Sequence, residues 1–240
     1  MLLLAVETST QTGTLCLSED DRVLAERIPE TEGRRHAQTL VQEVAQLLSL
    51  NGAAPASPGA VAVSVGPGSF TGLRVGVVFA KTYAWAAGIP LLAVDTLQAI
   101  VCQLTPDDLP AGAAPRVLVI SDAQRNEVFA GEYVRDPVTG IWVRAGEIRI
   151  ARVAELEGCA MIVGPAVPRH REQLEQSGRF ARCLELAPRA REVGVVGRVL
   201  LGRGELANVM ELEPVYIRPS YAEEKRGAGM RSEDSTVPGM

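Results

Sequence analysis

The chain is poor in lysine, histidine and cysteine, and each shortage removes a class of function. Only Lys81 and Lys225 are lysines among its 24 basic residues, and the formal net charge is −5. No basic stripe runs along it, whereas a stand-alone nucleic-acid binder depends on clustered cations to neutralise phosphates. The histidines are two, His36 and His170, and the cysteines four: Cys16, Cys102, Cys159 and Cys183. All stand singly. Zinc takes three or four nitrogen or sulfur ligands at close spacing, so no metal site is expected. Without C-x-x-C spacing the cysteines read as reduced thiols of a cytoplasmic protein. Long apolar runs are missing too. Met1–Val6 stops at Glu7 with no basic leader, and the longest apolar helix candidate carries Arg74 and Lys81. Neither a secretory leader nor a membrane span is expected.

What is present centres on Val61-Ala-Val-Ser-Val65 followed by Gly66-Pro-Gly-Ser-Phe-Thr-Gly-Leu-Arg-Val-Gly76. The first run has no polar alternation and predicts a strand buried on both faces. Gly66-Pro67-Gly68 breaks it, Ser69 suits an N-cap, and a helix is predicted from Phe70 to Gly88. Strand, glycine turn and helix N-terminus together can present backbone amides to an anion. The familiar phosphate motifs nevertheless fail. A P-loop needs Gly-Lys-Ser/Thr where Gly72-Leu73-Arg74 stands, and a dinucleotide fingerprint would need its third glycine one residue earlier. A hydrolase elbow needs glycines where Pro67 and Thr71 stand. Along the helix, Gly72, Gly76, Ala80, Ala84 and Gly88 recur every four residues as a small-residue ridge. Such a ridge lets another element come close: either the chain's own sheet or a second molecule.

The remaining chain reads as two similar halves. Leu2–Glu7 is a strand ending in a carboxylate, followed by the hydroxyl-rich turn Thr8-Ser-Thr10, two further strands and a helix over 34–50. The Pro- and Asp-rich stretch 105–115 then separates the halves. Arg116–Ser121 is again an apolar strand, now ending at Asp122, and Ala160-Met-Ile-Val-Gly-Pro165 repeats the pattern of Ala62-Val-Ser-Val-Gly-Pro67. Between them a strand over 127–134, a longer one over 141–150 and a short helix near 151–157 are expected. The divisions are 1–108, 109–221 and a polar tail, 222–240, expected to be disordered. Two such lobes point to a nucleotide cleft, with Glu7, Thr8, Ser9 and Asp122 facing phosphates and magnesium. The second turn, however, has no glycine for close backbone approach.

Gly66–Arg74, Ala5-Val-Glu-Thr-Ser9, Asp122-Ala-Gln-Arg-Asn-Glu-Val128 and Pro214-Val-Tyr-Ile-Arg218 together resemble the bacterial TsaB (YeaZ) family over residues 1–218. The resemblance implies an α/β, duplicated two-lobe actin/hexokinase-like (ASKHA, RNase H-like) fold. It also implies a non-catalytic role in making threonylcarbamoyladenosine beside the tRNA anticodon. The acyl transfer from threonylcarbamoyl-adenylate belongs to the paralogue TsaD, which holds a metal through an H-x-x-x-H helix. The matching position here is His36-Ala-Gln-Thr-Leu40, which lacks the second ligand. The implied partners are TsaD and the ATPase TsaE, with tRNA met only through the complex; whether the chain alone is a homodimer or a monomer is left open by the sequence, an exposed apolar helix pair favouring a homodimer. The implied partner seam comprises His36, Leu40 and Val44 on one helix and Gly72, Arg74, Gly76, Phe79 and Ala80 on the next. No cofactor of its own is implied, and ATP or ADP with magnesium would sit at the subunit contact. On this reading Gly76→Leu would abolish partner binding and leave the fold intact. The alternative is an independent ATPase or phosphotransferase of the same fold, and a more remote one a peptidase using Ser69.

Overall fold

The computed structural model describes residues 1–28, 36–109, 116–138 and 140–218, excepting the side chains of 36–38. The expected tail and the start of the 34–50 helix therefore lie outside the described residues. The first half gives strands β1 (Leu2–Glu7), β2 (Thr14–Glu19) and β3 (Arg22–Arg27), helix α1 (His36–Leu50), strand β4 (Ala60–Gly66), helix α2 (Phe70–Ala87), strand β5 (Leu91–Asp95) and helix α3 (Thr96–Val101). The second gives β6 (Val117–Asp122), β7 (Val128–Arg135), β8 (Trp142–Arg144), β9 (Arg149–Ala151), β10 (Cys159–Val163), α4 (Val167–Ser177), β11 (Phe180–Leu184) and α5 (Ala190–Arg203).

The two sheets have the same plan. The first runs β3-β2-β1-β4-β5; the second runs β11-β10-β6-β7-β8, with β9 also on β7. In each, the opening strand pairs antiparallel with its successor and parallel with the strand that ends in Gly-Pro. Gly66 and Gly164 even share backbone conformation, at φ 124° and 131°, a region that favours glycine. The duplication expected from the sequence is therefore real, and the fold is actin/hexokinase-like. The second copy is trimmed. The strand expected over 141–150 is two short ones divided at Ala145–Ile148, and a single 3-10 turn at Val153–Glu155 replaces the expected short helix. Gly146 and Glu147 in that gap are exposed, so no buried face holds it in the sheet.

Strand alternation explains the layers. Leu4, Val6, Val61 and Val63 point to the face covered by α1 and α2 through Leu40, Val44, Leu47, Val77 and Ala80. Leu3, Ala5, Ala60 and Ala62 point to the opposite face, where Ala190, Val193 and Val196 of α5 pack. That helix comes from the other half of the chain. Reciprocally, Leu97, Ile100 and Val101 of α3 pack against Val117, Val119, Met161 and Val163 of the second sheet. The halves have exchanged their last helices. Asp95 joins them at one point: its Oδ1 accepts from Leu97 N at 2.9 Å, capping α3, while Oδ2 accepts from the Tyr133 hydroxyl at 2.6 Å. All four cysteines are free, and burial pushes the Cys16 and Cys102 thiols up to about 12, which leaves them unreactive.

Candidate functional site

The first-lobe turn is closed. Glu7 ends β1 with no exposed surface, and one carboxylate oxygen accepts from the Ser9 amide. Glu7 Oε2, Thr8 Oγ1, Ser9 Oγ and Ser64 Oγ are all buried without a well-formed hydrogen bond among the described residues. Burial pushes the Glu7 carboxyl above its usual range, and the hydroxyls of Ser9 and Ser64 with the Ser9 amide offset part of that. The glycine loop lies on this turn: Ser69 N donates to Ser9 O at 2.7 Å. An added Cβ at Gly72 would stand 1.9 Å from Thr8 O, and one at Gly76 2.2 Å from Thr8 Oγ1. The amides of Gly66, Ser69 and Gly72 and the ridge from Gly72 to Ala84 are thus used inside the molecule. A recess of ≈ 10 Å³ beside Thr8, Thr14 and Leu40 has room for about one water. Asp122, by contrast, is half-exposed at the end of β6, accepting from Gln124 N at 2.8 Å and from Arg169 at 3.1 Å. Glu7, Thr8 and Ser9 come together, and Asp122 stands apart from them on the second sheet.

The expected partner seam divides in two. Leu40, Val44 and Ala80 are core residues, and Gly72 and Gly76 face Thr8. In the folded chain these five are buried against its own sheet and turn. The side chain of His36 lies outside the described residues. Phe79 is half-buried, its ring 5.7 Å from that of Tyr83. Arg74 alone of the named set is exposed. It belongs to a stripe of Thr71, Arg74, Val78, Thr82 and Trp85, in which Val78 is 62% and Trp85 71% exposed. The spacing is helical, and Val41 on α1, 66% exposed, adds to the apolar surface of the two helices. Sequence reasoning missed Val41, Val78 and Trp85 because the ridge drew attention to the other face. The signal was there, since α2 has charge only at Arg74 and Lys81 and a helix apolar all round has two faces to bury. The Ser69 hydroxyl caps α2, accepting from Gly72 N at 3.3 Å.

Comparison with known proteins bears on this geometry. TsaB of Escherichia coli K12 is 31% identical over 233 residues, covering 94% of this chain and 98% of that protein. TsaB of Bacillus subtilis 168 is 29% identical over 94% and 97%. The chain belongs to the TsaB (YeaZ) family. A YeaZ structure from Pseudomonas aeruginosa superposes with a TM-score of 0.73 at 26% identity, over 90% of this chain and 99% of that one. The family model described as TsaD, tRNA N6-adenosine threonylcarbamoyltransferase, also matches, over residues 22–200. The Methylorubrum extorquens transferase is 32% identical over 195 residues, but these make up only 55% of its length. The chain is thus similar to TsaB from end to end and to the transferase over about half of it. Within the TsaB family, the closed turn at Glu7 and the exposed stripe on α2 are the two features that bear on what this chain does.

Proposed function

We propose that this chain is the non-catalytic TsaB subunit of the complex that builds threonylcarbamoyladenosine in tRNA, docking on TsaD through the exposed face of α1 and α2. The observation that carries the reading is its end-to-end similarity to TsaB proteins. Two features support the lack of a reaction of its own. Leu40 stands where the second histidine of the transferase helix would be, and its side chain packs with Val44 and Leu47 into the core. Glu7, Thr8 and Ser9 are sealed beneath the glycine loop and α2, where no phosphate can reach them. Nucleotide and metal chemistry on this reading belongs to the partner or to the subunit contact, TsaE joining the assembled pair. The contact itself rests on Trp85 and Arg74, the residue types that carry most interface energy, with Val41 and Val78 adding exposed apolar area around them.

The test is calorimetric titration of the chain against TsaD from the same organism, with light scattering for mass. Saturable 1:1 binding is expected, and no binding at high micromolar concentration, with or without ATP, overturns the reading. Val78→Asp is expected to weaken binding at least about tenfold, since a charge buried in an interface costs over 1.4 kcal/mol. Val138→Asp, at a 91% exposed position in the β7–β8 turn, should change nothing.

A further inference from the structure

In an open α/β sheet, ligands enter outside the carboxyl ends of the strands, where the strand order turns back on itself. In the first sheet that place is between β1 and β4. It is not empty. After α5 the chain returns along α2. Ala207 N donates to Leu91 O at 2.9 Å, and Lys81 Nζ donates to the carbonyls of Met210 and Leu212 at 3.1 and 2.9 Å. Val215 N then donates to Val65 O at 2.7 Å, and Val215 O lies so close that a Cβ at Gly66 would stand 2.8 Å from it. Tyr216 follows, its ring 4.7 Å from Phe70 and its hydroxyl accepting from Arg74 Nε at 2.9 Å. The Arg74 guanidinium lies 3.9 Å above the Phe70 ring. Finally Arg218 pairs with Glu127, at the end of the β6–β7 turn of the other sheet, with the two side chains only 19% and 29% exposed. Three motifs far apart in sequence, Gly66–Arg74, Asp122–Val128 and Pro214–Arg218, therefore meet.

We propose that Ala207–Arg218 is a strap that runs along α2, covers the carboxyl end of β4 and ties it to the turn of the second lobe, holding the lobes in one orientation. Lobes of this architecture otherwise meet through α3, α5 and the Asp95–Tyr133 contact, and the strap adds a second link, from Val65 and Gly66 beside Asp95 on the first sheet to the β6–β7 turn of the second. Its chemistry is that of an internal ligand. Backbone groups of the strap satisfy Val65 and Lys81, and the Arg218 cation sits against the second turn. The strap also rests on Phe70 and Arg74, beside the exposed stripe of α2, so the face offered to a partner and the tie between the lobes share one support.

The test is amide hydrogen exchange on the full chain carrying Arg218→Ala, with Glu127→Gln as an independent break of the same pair. Cutting the tie at its far end should speed exchange about fivefold at Val65–Arg74 as well as at Ala123–Val128, and the exchanged pair Glu127→Arg with Arg218→Glu should restore both. Faster exchange confined to the last strap residues, or no change at Val65–Arg74 in whichever variant folds, overturns the proposal. No partner is involved, so this outcome is separate from that of the TsaD titration.

Discussion

Gly76 decides how the helix ridge is to be understood. Its missing side chain makes room for the Thr8 hydroxyl, which would be 2.2 Å from a Cβ. Gly76→Ala should accordingly destabilise the fold by about 1–3 kcal/mol, the usual cost of overpacking, and Gly76→Leu by more, in urea unfolding. The expectation that Gly76→Leu spares the fold is replaced, and Val78→Asp becomes the clean probe of the partner face. Spacing alone showed that something approaches the ridge; which side it approaches from depended on Thr8, distant in sequence and unmarked by any pattern. Glu7 gives a second prediction at this scale. Its carboxyl is raised by burial, so between the unfolded and folded pKa the native state holds a proton that the unfolded state has released. Stability from this group is then present below the ordinary carboxylate range and falls as pH rises through the window, by about 1.4 kcal/mol per pH unit. Glu7→Gln, which can accept from the Ser9 amide and donate to a serine hydroxyl, should remove that slope. Asp95 and Glu192, also raised by burial, remain in both proteins, so the difference between their pH–stability curves reports Glu7.

Among elements, the two helix caps differ in what rests on them. Ser69 accepts one long bond, 3.3 Å, from Gly72 N, so Ser69→Ala should cost about 0.5–1 kcal/mol, the low end for a cap. Asp95 caps α3 and also receives the Tyr133 hydroxyl across to the second sheet. Asp95→Ala should cost about 2–4 kcal/mol, because it removes a cap and leaves a buried hydroxyl without its acceptor. Chemical unfolding of the two variants under one condition checks the order. The Ser69 cap was legible, since it is a short polar residue before an apolar run. So was β4, whose seven residues are all buried and whose composition has no polar face. The second job of Asp95 was not legible, because its partner is Tyr133 on another sheet. Nor was the strap: Pro214–Arg218 has no periodicity, and its course is set by distant partners, Val65, Arg74 and Glu127.

For the molecule as a whole, the repeat was readable because Val-Gly-Pro follows the buried strand in both halves. The exchange of α3 and α5 was not, since a helix pattern shows an apolar face without saying which sheet it covers. The exchange has a direct consequence for any attempt to divide the chain. Residues 1–108 contain all of the first sheet but not α5, and so leave Leu3, Ala5, Ala60, Ala62, Leu92 and Val94 without cover. The same fragment carries α3 with Leu97, Ile100 and Val101 but not the sheet they pack on. Each of those side chains is fully buried in the intact chain, and burying a Leu, Ile or Val side chain is worth about 1.5–3 kcal/mol, so the loss over the six larger ones is of the same size as the roughly 5–15 kcal/mol that holds a domain folded. Expressed alone, residues 1–108 should show no cooperative thermal transition and no dispersed amide NMR spectrum. Adding residues 109–221 in trans should restore both, because that piece brings α5 to the first sheet and receives α3 on the second. A folded, cooperative 1–108 fragment would mean that α1 and α2 alone suffice to hold the first sheet.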